Sequence, residues 1–107
     1  MNDVYIGEGN LNGKGVYAER DFRKGEAVIT YNLKELSHEQ YENLPKQEKD
    51  YVHQHTDRLM LYSEPERYVN HSDNPNTIQD LEKGQDIALR DIEKDEMITT
   101  DASKDDI

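Results

Sequence analysis

Cysteine is absent from the sequence, and so is any long apolar run. Without cysteine, the chain has neither disulfides nor thiolate metal sites. No stretch approaches the roughly 20 apolar residues of a membrane-spanning helix. The first five residues, MNDVY, lack the basic and apolar regions of a signal peptide. These absences predict a soluble cytoplasmic protein without a membrane partner, and the four histidines do not suggest a metal site.

Basic residues are scarce as well. The chain has 13 Lys and Arg residues against 24 Asp and Glu residues, which gives a formal net charge of −11. Nucleic-acid-binding domains usually present a basic face, so we expect no direct binding to nucleic acid. The acidic chain suits a basic partner, such as a lysine-rich protein or peptide, through long-range attraction. Solubility explains the same charge equally well, so the charge alone names no partner.

The apolar content is low for a folded domain. Hydrophobic residues make up 33% of the 107 residues, or about 39% with the six glycines, and a globular domain usually has about 45–50% when glycine is included. We therefore expect one domain, spanning residues 1–107, with a thin core. Short β-rich runs separated by turns predict a mainly β fold, interrupted by a helical insert at about residues 33–66. The predicted strands are residues 4–6, 16–18, 27–31, 59–62, 77–79, 86–90 and 97–100.

The remaining local signals concern turns and helix starts. Residues 7–15 contain four glycines and two asparagines, which predicts a loop. Ser37 and Gln40 have the spacing of a capping box at the start of a first helix. Pro45 predicts a second helix from about Lys46 to about His55. Residues 21–30 and 91–100 also resemble each other, as two similar turn-to-strand units.

A dense polar cluster follows two apolar residues in the segment RYVNHSDNPN, residues 67–76, which we call the elbow. Asn70 carries amide donors and an acceptor, and His71 carries two ring nitrogens. The DNP sequence that follows favours a turn. A strand end that delivers these two side chains into a turn can form a small polar pocket. A surface loop with an Asx-turn accounts for the same residues.

The glycine-containing segment GKGVYA, residues 13–18, fits the G-x-G-x-x-A dinucleotide-binding pattern, and Glu35 lies at the expected distance. That pattern must open a helix within a βαβ unit. A turn and a β-branched strand follow here instead. The segment is therefore better explained as a glycine turn between two strands.

Three segments together resemble the SET domain, the family of S-adenosylmethionine-dependent protein-lysine methyltransferases. The elbow is similar to the family's Arg, aromatic, x, Asn-His-Ser, x, x, Pro-Asn signature. Residues 13–18, followed by KGE at 24–26 and a strand to Tyr31, resemble its glycine loop. Residues 88–99 resemble its Arg-Asp-Ile…Glu-Glu-Leu-Thr run, with Asp95 in place of glycine and Met97 in place of the second glutamate. The three blocks occur in the family's order and cover about residues 13–102.

The resemblance implies a minimal SET-domain (β-clip) fold, in which short sheets surround a core and a C-terminal segment forms a pseudoknot. It implies methylation of lysine in a protein substrate, with cofactor and peptide entering from opposite faces. Tyr31 is expected in the catalytic lysine channel. The residues expected to contact S-adenosylmethionine are Lys14, Gly15, Val16 and Tyr17 from the glycine loop, and Arg67, Tyr68, Asn70 and His71 from the elbow.

The sequence departs from the family pattern near its C-terminus. Counting on from Thr99, the position of the family's channel tyrosine is occupied by Ala102, and an aromatic C-terminal cap is missing. Two hypotheses follow: an active lysine methyltransferase, or a degenerate SET domain that binds a partner without catalysis. The same residues also allow a homodimer that supplies the missing channel wall, or a mainly β interaction module without a cofactor.

Overall fold

The computed structural model describes residues 2–55 and 57–101. This part of the chain is mainly β, as predicted. Its strands are β1 (Val4–Leu11), β2 (Lys14–Ala18), β3 (Ala27–Thr30), β4 (Lys34–Leu36), β5 (Val52–His55), β6 (Arg58–Leu61), β7 (Asn70–His71), β8 (Thr77–Asp80), β9 (Gln85–Ala88) and β10 (Met97–Thr100). Two short helices, α1 (His38–Glu42) and α2 (Lys46–Lys49), and a 3-10 turn (Glu66–Tyr68) complete it. None of the described helices is long enough to cross a membrane.

The strands form three small sheets, with the orders β1-β2-β10-β7, β3-β9-β8 and β4-β6-β5. The last strand, β10, lies inside the first sheet. It pairs antiparallel with β2, where Ile98 faces Val16, and parallel with β7, where Thr99 faces Asn70. The last described strand thus lies between β2 and β7, and the threading of the C-terminal segment beneath a loop stays a prediction. As a result, β10 brings the glycine segment and the elbow to neighbouring places in one sheet.

The core joins the sheets through a few fully buried side chains. The largest are Phe22, Ile29, Ile92, Ile98 and Val16, each at most 2% exposed. Burying a side chain of this kind stabilises a fold by about 1.5–3 kcal/mol. With so few large apolar side chains, each one carries a substantial share of the core.

The two similar units, residues 21–30 and 91–100, pair with each other. Phe22 and Ile92 exchange backbone hydrogen bonds of 2.8 and 2.9 Å. The side chain of Asp91 accepts a bond from the Lys24 N–H at 2.9 Å, and that of Asp21 accepts one from the Lys94 N–H at 2.7 Å. The similarity between the two segments therefore reflects a reciprocal contact between the turns that precede β3 and β10.

The predicted loop at residues 7–15 is wrong over most of its length. Strand β1 continues to Leu11 and pairs with β2, and the turn is confined to Asn12 and Gly13, both with positive φ. At Gly9 an added Cβ would lie 2.4 Å from the Lys14 carbonyl oxygen. The glycine at this position therefore permits close approach of the two strands. We call β1, this turn and β2 the glycine hairpin (residues 4–18).

The helical insert is only partly as predicted. The Ser37–Gln40 capping box is present, with bonds of 2.9 and 3.1 Å. The second helix does not reach His55, because it ends at Lys49 and residues 52–55 form strand β5. Strand β5 pairs along its length with β6. Pairing with β6 satisfies the backbone groups that a short helix would leave open at its end, so the prediction of a helix as far as His55 is wrong.

Candidate functional site

The carboxamide of Asn70 connects the elbow to the glycine hairpin. Asn70 is 3% exposed. Its oxygen accepts a hydrogen bond from the Asn10 N–H at 2.7 Å, and its nitrogen donates to the carbonyl oxygens of Lys14 at 3.0 Å and Tyr68 at 2.9 Å. The side chain therefore uses its donor and acceptor groups within the protein and fixes the two segments against each other.

Gly15 lies beside this carboxamide. A Cβ on Gly15 would be 3.3 Å from the Asn70 side-chain nitrogen, 3.2 Å from the Met97 methyl carbon and 3.0 Å from the Glu8 carbonyl oxygen. A side chain would have to displace at least one of these neighbours. The glycine is thus explained by the close approach of the elbow and β10 to β2, and the two motifs meet in space as the sequence comparison predicted.

A cavity of about 330 Å³ opens next to this junction. Its walls come from the end of β1 and the turn of the glycine hairpin, the residue after β3, β5, the 3-10 turn, the elbow, β8, β9 and β10. Three of the residues predicted for the site line it, namely Tyr31, Arg67 and His71. The volume is within the range of about 300–1,000 Å³ that is usual for small-molecule sites.

Tyr31 forms part of one wall. Its ring stacks on Tyr62 with 5.8 Å between centroids, and its hydroxyl donates a short hydrogen bond to the carboxylate of Asp86. Asp86 is 1% exposed and lines the same cavity. The sequence did not predict this aspartate as a site residue, because it lies in the middle of β9 and no motif marks it.

Arg67 is held by protein partners. Its two terminal nitrogens bond the carboxylate of Glu48 at 2.9 and 3.1 Å, and its Nε donates to the Tyr62 carbonyl oxygen at 2.9 Å. The guanidinium also lies 4.3 Å from the centre of the Tyr51 ring. The hydrogen bond from Arg67 lowers the pKa of Glu48. The arginine therefore anchors α2 and the end of β6 to the elbow.

The other predicted residues lie beside the junction and away from the cavity walls. The Lys14 ammonium is 4.9 Å from the centre of the Tyr68 ring, and Val16 is fully buried. The Tyr17 hydroxyl donates to the Glu8 carbonyl oxygen at 2.6 Å. The structure thus divides the predicted residues into a group at the junction and a group at the cavity.

His71 is exposed, and its ring nitrogens lie 3.0 Å from a carboxylate oxygen of Asp73 and 3.7 Å from one of Asp101. His53 is on strand β5, within the range predicted for the second helix, and its ring lies 4.5 Å from that of Tyr62. Ala102 lies outside the described residues.

Glu66 is a second cavity residue that the sequence did not predict. It is 4% exposed and lines the cavity. One carboxylate oxygen accepts bonds from the N–H groups of Asn32 at 3.0 Å and Ser63 at 2.9 Å, and the other has no hydrogen-bond partner among the described residues. Burial raises the pKa of this carboxyl group. In the sequence, Glu66 ends the segment EPE, residues 64–66, in which proline favours a break between elements. Its position directly before the elbow is the signal that could have marked it.

Comparison with known proteins shows which family the chain resembles in sequence and fold. The sequence model of the SET domain family matches residues 13–101. The chain is 32% identical over 91 residues to a histone-lysine N-methyltransferase, trr, of Drosophila melanogaster. That alignment covers 75% of this chain and 4% of the fly protein, so the chain spans a small part of the length of this relative.

The fold also has a counterpart among solved structures. A crystal structure of a candidate histone methyltransferase from Plasmodium falciparum matches with a TM-score of 0.69 and 23% sequence identity. The match covers 94% of this chain and 93% of the other. The matched family model, the order of the motifs and this architecture agree, and the chain belongs to the SET domain family.

Proposed function

We propose that the protein transfers a methyl group from S-adenosylmethionine to a lysine side chain of a basic protein substrate. The observation that carries the proposal is the junction at Asn70, where the glycine hairpin and the elbow meet beside a cavity lined by Tyr31. Membership of the SET domain family and the likeness to a fly histone-lysine methyltransferase support it.

Both reactants of this transfer carry positive charge before they react, the cofactor on sulfur and the lysine on its ammonium group. The cavity walls are acidic and aromatic, with Glu66, Asp86 and the rings of Tyr31 and Tyr62 among them, and both kinds of wall favour a cationic group. When bound, S-adenosylmethionine supplies an electrophilic methyl group on a positively charged sulfur. The residues proposed to hold it are Lys14, Gly15, Val16, Tyr17, Arg67, Tyr68, Asn70 and His71.

The protein's own contribution is to hold an amine in place in its neutral form. Burial disfavours the charged form of an amine and so lowers its pKa. Alignment of two reacting groups can lower a barrier by about 7–11 kcal/mol. The Tyr31 hydroxyl donates a hydrogen bond to Asp86, and both residues line the cavity. We assign Tyr31 to the lysine channel because this bond fixes its hydroxyl at the cavity wall.

The second candidate function is partner binding by a catalytically degenerate SET domain. Ala102 favours it, because alanine occupies the position where the family carries a channel tyrosine. Loss of that hydroxyl removes a group that orients the amine and leaves the cofactor junction intact.

Two measurements test these functions. Calorimetry should detect binding of S-adenosylmethionine and of its demethylated product, and the absence of heat with both ligands contradicts the proposal. Incubation with radiolabelled S-adenosylmethionine and histone should label the histone. Measurable transfer rejects the degenerate domain, whereas cofactor binding without transfer favours it.

A further inference from the structure

Two buried side-chain oxygens lack a hydrogen-bond partner among the described residues, one from Glu66 and one from Gln79. Both residues line the same cavity, although one is in the 3-10 turn and the other in β8. A buried acceptor without a donor is destabilising, and native proteins tolerate few such groups. Two of them on one cavity indicate that the donor comes from a ligand.

Negative charge is concentrated on the described walls of the same cavity. The buried carboxylate of Asp86 is on its wall. The guanidinium of Arg67 is also on the wall, but Glu48 and the Tyr62 carbonyl oxygen occupy it. A ligand that fits these walls is positively charged and carries several N–H groups.

We propose that Glu66 and Gln79 bind the primary ammonium group of the lysine that is to be methylated. This inference rests on the proposed function and adds specificity residues to it. A primary ammonium has three N–H donors, enough to offer one to each orphaned oxygen, and the rings of Tyr31 and Tyr62 on the same cavity favour a cation. A trimethylated ammonium has no N–H and would leave both oxygens unpaired.

Glu66 can also prepare the amine for reaction. In this step the Glu66 carboxylate takes one proton from the ammonium: an N–H bond breaks, an O–H bond forms, and the electron pair of the broken bond remains on nitrogen. The products are a neutral amine and a neutral carboxylic acid. The pKa of Glu66, which burial raises, favours this transfer because it brings the carboxyl group closer to the amine in proton affinity.

The test uses Glu66→Gln. The carboxamide oxygen of glutamine can still accept the bonds from the Asn32 and Ser63 N–H groups, while its NH₂ group replaces the orphaned oxygen with a donor. The probe is n-butylammonium, a mimic of the lysine side chain, titrated into the isotope-labelled protein and followed by NMR at the Gln79 side-chain amide. Glu39→Gln, an exposed substitution on α1, is the matched control.

We expect saturable shifts in the wild type and in Glu39→Gln, and affinity at least about tenfold weaker in Glu66→Gln, the effect of losing one charged hydrogen bond. Butyltrimethylammonium should bind at least about tenfold more weakly than n-butylammonium to the wild type. Equal affinity in Glu66→Gln, or equal affinity for the two ligands, overturns the proposal. Gln79→Met, which removes the second acceptor at unchanged charge, should also weaken binding and provides a check if Glu66→Gln folds poorly. Because this variant lacks the Gln79 side-chain amide, its titration is followed at the backbone amide of Tyr31, another residue of the cavity wall.

Further measurements distinguish a site for the substrate lysine from a site for the cofactor, and test the cation site separately from the proposed function. If Glu66→Gln loses S-adenosylmethionine binding but retains n-butylammonium binding, the ammonium belongs to the cofactor and the lysine assignment is wrong. Binding of n-butylammonium requires no methyl transfer. If the protein binds n-butylammonium through Glu66 and transfers no methyl group, the cation site is supported and the proposed function is contradicted. If Glu66→Gln methylates histone as well as the wild type does, the proposed function is supported and the cation site is contradicted.

Discussion

The side-chain oxygen of Asn70 accepts a 2.7 Å hydrogen bond from the backbone N–H of Asn10, across 60 residues of sequence. The same carboxamide bonds the Lys14 carbonyl oxygen on the other strand of the glycine hairpin. One buried side chain therefore sets the distance between the hairpin and the elbow. The shape of the candidate site therefore depends on this contact.

Asn70→Ala should unfold more easily than the wild type. The substitution leaves the Asn10 N–H and the Lys14 and Tyr68 carbonyl groups without their partner, and an unpaired buried group costs about 1–3 kcal/mol. Urea denaturation should show a loss in this range or above it. Asn74→Ala, at an exposed position of the same elbow, should change stability by less than about 0.5 kcal/mol. Equal effects of the two substitutions would contradict the central role of Asn70.

Gly15→Ala should weaken both folding and cofactor binding. The added methyl group would approach Asn70 and the Glu8 carbonyl oxygen, and overpacking of this kind typically costs about 1–3 kcal/mol. Because the junction must shift, calorimetry should also show weaker binding of S-adenosylmethionine. Gly84→Ala is the control: its φ of +66° strains alanine, but nothing lies within 4 Å of the new methyl group. It should lower stability and leave cofactor affinity unchanged.

Local signals in the sequence predict correctly the elements whose conformation depends on residues nearby in the chain. The capping box at Ser37 and the strands at residues 27–30 and 97–100 formed where propensity places them. Strand β5 and the extension of β1 were not predictable in this way, because pairing with β6 and β2 decides their conformation. The same reason applies to the site: Asn70 belongs to a motif, whereas Glu66 and Asp86 became candidates only when the fold placed them on one cavity.

Glu66→Gln should make stability less dependent on pH. Burial raises the pKa of Glu66 above its ordinary value of 4.5, so the folded protein binds more protons than the unfolded chain as this group titrates. The stability of the wild type then falls as pH rises through that window, and glutamine lacks this dependence. In thermal denaturation, the stability of Glu66→Gln relative to that of the wild type should increase from about pH 5 to about pH 8. A difference that is constant over this range would show that Glu66 titrates at its ordinary pKa.

Glu48→Gln should show the opposite sign. The hydrogen bond from Arg67 lowers the pKa of Glu48 below its ordinary value of 4.5. The stabilisation is therefore present above that value and is lost as pH falls through the lowered pKa. Glu48→Gln should be less stable than the wild type at about pH 7, and the difference should shrink toward about pH 3. The same denaturation series measures both variants, and parallel curves for Glu48→Gln and Glu66→Gln would contradict the two assignments.

Ala102→Tyr should increase the rate of methyl transfer. Alignment with the family places Ala102 where a tyrosine hydroxyl otherwise orients the target amine, and better alignment of the reacting groups acts on the barrier to transfer. A gain of about tenfold corresponds to about 1.4 kcal/mol in that barrier. The rate should be measured with radiolabelled cofactor and histone at saturating S-adenosylmethionine. Ala102→Phe has the same ring without the hydroxyl and should give a smaller gain.

If Ala102→Tyr binds the cofactor as the wild type does and transfers no faster, the alignment of the C-terminal segment is wrong. The tyrosine would then have to be sought elsewhere, with Tyr31 as the first candidate because its hydroxyl already lies on the cavity wall beside Asp86.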